Sequence, residues 1–495
     1  MATQTTRIKG SGYGNPYIDS LIWGGKWSGT VTYSFGLAGY SIDSQNSIAF
    51  TDPEKAMFRE VLQSYSNVCN IKFSEVPFLL NSTKNNIVEW KVDSLSSDPG
   101  FITLGWHVVP DNTYLQNWGV FSTGGDYWST NKGSLGYNTV VHELGHAVGL
   151  AHPHDGGDRP DATLFPGVSG AFDSYGTYSL NQGIWTVMSY NWGWATEMPP
   201  PDGSYGNVIT PMALDVAALQ KIYGANSAYH TGNDTYKLPD SNGIGTGWSC
   251  IWDAKGVDTL IGGDTLSDCY INLNAAPLVG PNAGGYVSRI DGIYGGYTIA
   301  NGVIIENAQG GLGDDVLIGN ATSNVLQGNA GNDQLYGGAG KDTLYGGLGQ
   351  DTFIFTTGDS GQTATTLDKI TDYTKGVAGT GDLIDYVSNL IIGGSAATAA
   401  SKQASINMTM GVATFATGSG KTLSDALLDI TARMTAATNT KGEFALFQVN
   451  HTGDYYAFIS DGTAGVGAND VLIQLVGITA ISGIDLTGGN LTITV

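Results

Sequence analysis

Residues 310–354 read GGLGDDVLI GNATSNVLQ GNAGNDQLY GGAGKDTLY GGLGQDTFI, five nine-residue units in unbroken register. The sixth place holds Asp315, Asn324, Asp333, Asp342 and Asp351, and the eighth holds Leu317, Leu326, Leu335, Leu344 and Phe353. A flexible glycine linker would not keep an apolar residue at every eighth place. Six residues of turn followed by three of strand wind a chain into a roll, with the eighth side chain facing inward. Glycines let backbone carbonyls crowd together, and an adjacent aspartate neutralises a hard cation. Calcium is therefore expected, at Gly311, Gly313, Asp315, Asn324, Gly331, Asp333, Gly338, Gly340, Asp342, Gly347, Gly349 and Asp351. Asn324 carries one charge less than its counterparts, and its unit lacks the expected glycines, so a weaker site is expected there.

Composition sets the frame around this repeat. The chain has 495 residues, enough for two to four domains with real cores. Only 13% of residues are charged, yet the net charge is −23. Such a surface repels nucleic acid and anionic membranes, so neither partner is expected. No run of 18 apolar residues occurs, so membrane insertion is not expected. The N-terminal stretch has no apolar core of the kind a Sec leader needs. Of the three cysteines, Cys69 reads as a buried small apolar residue. Cys250 and Cys269 flank a turn-like segment, and whether they pair stays open.

Upstream of the roll the periodicity is different. Residues 31–35, 86–92 and 102–109 alternate as strands. Residues 52–69 read as a helix, with Asp52 as N-cap and Pro53 at the first helical position. Helices are also expected over 140–150 and 211–223. Residues 119–128 are the candidate for a substrate-pairing sheet edge, and Trp185, Trp192 and Trp194 for core packing or cleft lining.

Four of the seven histidines fall within residues 142–154, in the run HELGHAVGLAHPH. His142 and His146 lie one helical turn apart and can bind one ion together. Glu143, beside the first, can take a proton from a metal-activated water. A helix continued to His152 would rotate it by about 1000° and carry it about 15 Å away, off the ligand face. The chain must therefore turn back, and Gly149 stands where a left-handed break costs least. Three imidazoles with an open position describe one catalytic zinc ion. His154 and Asp155 read as polar loop groups.

This eleven-residue pattern resembles that of the metzincin metalloproteases. Met188, in Thr186-Val187-Met188-Ser189-Tyr190, matches their tight methionine turn beneath the metal. His152-Pro153, Val187–Tyr190, the run from Ala217 to Asn226, Ile251-Trp252-Asp253-Ala254 and Ile305-Glu306-Asn307-Ala308 are similar to the serralysins, secreted bacterial members of that group. The resemblance spans roughly residues 20–385. It implies an α+β metzincin catalytic domain, an all-β parallel β-roll (RTX) domain and a β-rich C-terminal extension. It further implies that Tyr190 is a fifth zinc ligand that also serves the oxyanion, and that Asp253, Asp258 and Glu306 bind calcium. Asp368, Asp372 and Asp382 resemble acids that follow the roll. The implied partners are extended protein or peptide substrates, a type I secretion machinery and a small protein inhibitor. The implied location is extracellular, and the chain is expected to be monomeric.

The domain boundaries expected are an N-terminal tail or strap (1–27), a zinc protease domain (28–229), a calcium-binding roll (230–385) and a secretion-associated β-rich region (386–495). With only about 27 residues ahead of the first strand, no long inhibitory propeptide is expected. The rival reading is a calcium-dependent adhesive protein with narrow or vestigial protease activity. The retained Glu143 argues against it, because zinc binding does not need that residue.

Overall fold

The computed structural model describes residues 2–5, 14–80, 82–95, 103–111, 114, 116–155, 163–196, 198–376, 380–387, 391–392, 404–406, 411–415, 422–434, 441–449, 453–463, 465–486 and 489–494. It is mostly β with few helices.

Five strands form the sheet of the first half: β1 (Val31–Phe35), β2 (Phe73–Glu75), β3 (Ile87–Val92), β4 (Gly105–His107) and β5 (Asn117–Ser122). Their order is β2-β1-β3-β5-β4, and β4 alone runs antiparallel. The substrate-edge expectation for residues 119–128 is thereby corrected. Asn117–Ser122 is an inner strand paired on both sides; among the described residues the outer strands are Phe73–Glu75 and Gly105–His107, and it is Gly105–His107 that lies against the helix Leu135–Ala147.

Two helices pack with this sheet, α1 (Asp52–Val68) and α2 (Leu135–Ala147), and a third, α3 (Ala213–Tyr223), packs against α1. Thr51, rather than Asp52, caps α1. Its hydroxyl faces the Glu54 backbone N–H, and Glu54 reaches back to the Thr51 N–H, a reciprocal capping box. Helix α2 starts five residues earlier than periodicity predicts, because the Ser134 hydroxyl accepts from the Tyr137 N–H. Buried Tyr65 of α1 donates to the Val141 carbonyl of α2 (2.6 Å), fixing the two helices together.

The described residues among the first 27 are an integral part of this half. Thr3–Thr5 pairs with Lys26–Ser28, and Tyr17, Ile18, Leu21, Ile22 and Trp27 are buried. The Trp23 N–H donates to the Gly149 carbonyl and the Ala151 N–H to the Leu21 carbonyl, both at 2.9 Å. The segment expected to be a strap thus braces the return loop behind α2.

In the second half, alternate units fall in two facing sheets, so units pair 18 residues apart. Leu317, Leu335 and Phe353 are in register in one sheet, and Leu326 and Leu344 in the other. All five are fully buried. This is a parallel roll with the eighth-place side chains as its core, as the repeat predicts. The core runs without a break from the first half into the roll, so residue 229 marks no gap in packing.

Strands Glu443–Gln448, Tyr455–Ile459 and Val471–Leu475 extend one roll sheet through the pairing of Asp368–Ile370 with Val471–Leu475. Helix Leu423–Met434 covers them with a separate apolar cluster. Cys250 and Cys269 are both free and buried. They lie in strands separated by two others, which keeps them apart. No helix among the described residues is long and apolar enough to cross a membrane.

Candidate metal centre

His142 and His146 project from the C-terminal half of α2, whose residues are all buried. After Ala147 the chain breaks at Gly149 (φ +102°), where a Cβ would fall 2.6 Å from the Gly25 carbonyl oxygen. That break returns His152 to the helix face. Its Nε2 lies 3.0 Å from the Nε2 of both His142 and His146.

Each remaining ring nitrogen has a fixed acceptor. Nδ1 of His142 donates to the Val187 carbonyl (2.8 Å) and Nδ1 of His146 to the Leu150 carbonyl (2.9 Å). Nδ1 of His152 faces Asp155 Oδ2 at 2.8 Å. The three Nε2 lone pairs therefore point at one another, an arrangement that is repulsive without a cation between them. Burial pushes the three imidazoles down, to about 3 for His142 and His146 and about 4 for His152, so they are neutral donors at physiological pH. Asp155, read from sequence as a loop residue, thus orients the His152 ring, and His154 stacks on His152 at 4.9 Å.

Glu143 lies between these histidines and the sheet edge. A Cβ on Gly105 of β4 would meet its Cγ at 3.1 Å. Burial, reinforced by the Glu89 carboxylate, raises the Glu143 carboxyl to about 8. The Tyr190 ring lies 4.6 Å from that of His152 and 5.6 Å from that of His142, and burial pushes its phenol up. Met188 is fully buried beneath α2. A Cβ on Gly145 would come within 2.6 Å of its sulfur. Trp192 is half-exposed and borders a cavity beside Tyr190, with Phe172, Tyr175 and Met198, whereas Trp185 and Trp194 pack on the core.

Sequence reading missed Asp215, on α3. Its buried carboxylate accepts from the Thr186 hydroxyl (2.6 Å) and from the Val187 (2.7 Å) and Met212 (2.9 Å) N–H groups. The periodicity of 211–223 showed only that this stretch is helical, and the partners are distant in sequence.

In the roll the aspartates form a ladder. Oδ1 of Asp333 accepts from the Asp315 N–H (2.8 Å), Asp342 from Asn324 (2.8 Å) and Asp351 from Asp333 (3.0 Å). Asp368 and Asp382 continue it, accepting from Asp342 (2.7 Å) and Asp351 (3.0 Å). Oδ2 of Asp258, Asp333, Asp342, Asp351 and Asp368 is buried with no protein hydrogen-bond partner. A Cβ on Gly328, Gly337 or Gly346 would collide with Oδ2 of Asp333, Asp342 or Asp351. Free carboxylate oxygens in glycine-walled cradles fit a hard cation.

Gly331, Gly338, Gly340, Gly347 and Gly349 take positive φ, whereas Gly311 and Gly313 do not and sit close to the 265–268 backbone. Asn324 differs again. Its Nδ2 donates to the Glu306 carbonyl (2.8 Å) and its Oδ1 accepts from the Asn320 N–H (2.8 Å), so its amide is already paired. Glu306 accepts from the Asp258 N–H (2.7 Å). Asp253 accepts from Tyr236 (2.6 Å) and clusters with His230 and Asp234, which sequence reading did not single out.

Residues 213–400 match the family model described as Peptidase M10 serralysin C terminal. The chain is 30% identical to a serralysin of Proteus mirabilis over 62% of this chain and 63% of that one. It is 33% identical to a serralysin of Photorhabdus luminescens, over 56% and 54%. It is 31% identical to metallopeptidase AprA of Pseudomonas marginalis, over 60% and 59%. The chain spans less than two thirds of the length of these relatives. Over these stretches it is similar to serralysin-type metalloproteases, as its motifs suggest.

Proposed function

We propose that this protein is an extracellular zinc-dependent endopeptidase of metzincin type, stabilised by calcium bound in its roll. The carrying observation is the convergence of three tautomer-locked Nε2 atoms beside Glu143, against an outer antiparallel strand of the sheet.

His142, His146 and His152 hold zinc, with Tyr190 as a further ligand in the resting enzyme. Bound there, zinc polarises a scissile carbonyl and acidifies a water. The substrate lies extended along Gly105–His107, pairing its backbone with the exposed edge. Glu143, within reach of that edge, takes the proton of the attacking water and returns it to the leaving amine. The Tyr190 hydroxyl donates to the developing oxyanion. Met188 fills the space under α2 and keeps the histidine pair level.

Asp315, Asp333, Asp342 and Asp351, with Asp258, Asp253 and Glu306, hold structural calcium. Asp368 and Asp382 occupy equivalent ladder places, and Asn324 contributes little. Scarce calcium inside the cell leaves these carboxylates repelling one another, and abundant calcium outside draws the roll together. That fits export by a type I machinery before folding.

Casein digestion tests the enzyme reading. Wild type is expected to digest casein and to be silenced by o-phenanthroline, and Glu143→Gln to be inactive in both conditions. Digestion by Glu143→Gln at a rate near that of wild type would sink the mechanism.

A further inference from the structure

Behind His142 runs a chain of hydrogen bonds that ends in a buried carboxylate. His142 Nδ1 donates to the carbonyl of the Val187–Met188 peptide (2.8 Å). The N–H of that same peptide, on Met188, donates to the Thr186 hydroxyl oxygen (3.2 Å). The Thr186 hydroxyl in turn donates to Asp215 Oδ1 (2.6 Å). Every donor in this sequence is followed by its own acceptor, and every linking group is buried. Bonds aligned head to tail polarise one another, and more strongly where water is excluded.

We propose that Asp215 is the positioning carboxylate of a relay, carboxylate–hydroxyl–peptide–imidazole, that orients His142 and strengthens its Nε2 as a zinc donor. A histidine ligand usually gains this support from a carboxylate or carbonyl in direct contact. Here the negative charge acts through Thr186 and the methionine-turn peptide. Asp215 also holds the turn from its other oxygen, through the Val187 N–H, and caps α3 through the Met212 N–H. The carboxylate therefore ties the turn under the metal to the helix behind it. Thr186 is the link that separates the two duties, because it belongs to the relay and not to the helix cap.

This inference rests on His142 being a zinc ligand. The test is the zinc dissociation constant of the full-length, calcium-loaded protein, read by chelator competition, alongside the melting temperature. Thr186→Val and Asp215→Asn are each expected to weaken zinc about 10-fold, the usual scale for such support. The double variant should weaken it little further, because links of one chain do not add. Thr186→Ser, which keeps the hydroxyl, should bind zinc as wild type does. Were Asp215 only a helix cap, Asp215→Asn would lower the melting temperature alone and Thr186→Val would bind zinc normally, which overturns the relay. If Asp215→Asn fails to fold, the Thr186 pair still decides. Undiminished zinc binding by His142→Ala would overturn the zinc reading itself instead.

Discussion

The two halves prepare for a cation in opposite ways. Around α2 the protein completes its own hydrogen bonds first. Three Nδ1 groups are satisfied by Val187, Leu150 and Asp155, and neutral Nε2 donors remain facing inward. In the roll, one oxygen of Asp333, Asp342, Asp351 and Asp368 is used by the backbone 18 or more residues earlier and the other is left bare in the interior. The first arrangement is assembled by hydrogen bonds of the surrounding fold. The second leaves carboxylate oxygens bare in the interior, where only protonation or a cation compensates them. The difference shows how ligand chemistry divides the work: neutral imidazoles tolerate burial, while carboxylates must be neutralised or protonated.

The largest effect expected is on chemistry alone. Glu143→Gln should lower peptide hydrolysis by roughly 10²–10⁴-fold, the range for a general base. The far-UV circular dichroism and calcium response should stay unchanged. A matching loss of roll structure would mean that the halves are not separable in this way. Next in size is calcium removal. EGTA should unfold residues 230–385 before the first half melts, as followed by circular dichroism and limited proteolysis. A protease-resistant roll in EGTA would break the contrast.

A pH series sharpens it. Burial raises Asp333 and Asp342 to about 7 and Asp368 to about 8. Carboxyls raised above their unfolded value favour the folded state when protonated. Their contribution is present below about pH 4 and is lost as pH rises through about 7–8. In EGTA the roll should therefore be more ordered at pH 5 than at pH 8. Adding calcium at neutral pH should release protons, detectable in weakly buffered solution. Greater order at pH 8 in EGTA would contradict the ladder.

The smallest effects come from two glycines. Gly149→Ala forces a side chain into positive φ and toward the Gly25 carbonyl, and should cost about 1–2 kcal/mol, read as a lower melting temperature with or without calcium. Gly337→Ala places its Cβ against Asp342 Oδ2, so its penalty should appear chiefly as a higher calcium midpoint. Equal calcium sensitivity of the two variants would argue that the cradle is not an ion site.

Local pattern carried far in this chain. The repeat from Gly310 announced the roll, because each unit's turn and strand are decided within nine residues and the eighth place must be apolar. The histidine spacing with Gly149 announced the helix, the break and the return of His152 to the other two histidines, because helical geometry leaves no other way to bring it back. Element ends were less legible. Ser134 and Thr51 set helix starts through caps that compete with neighbouring candidates.

What pattern could not show was which distant groups meet. The outer strand beside α2 is Gly105–His107 because strand order depends on long-range pairing, not on alternation. Asp215 became the anchor of the methionine turn, Leu21–Trp23 the brace of the return loop, and Asp368 and Asp382 further rungs of the ladder. By itself, the sequence determined the roll and the clustering of the histidines, since periodicity and helical spacing are local properties of the chain. Only the tertiary structure decided their supports, because a buried donor's acceptor is selected by packing across many residues and leaves no spacing to read.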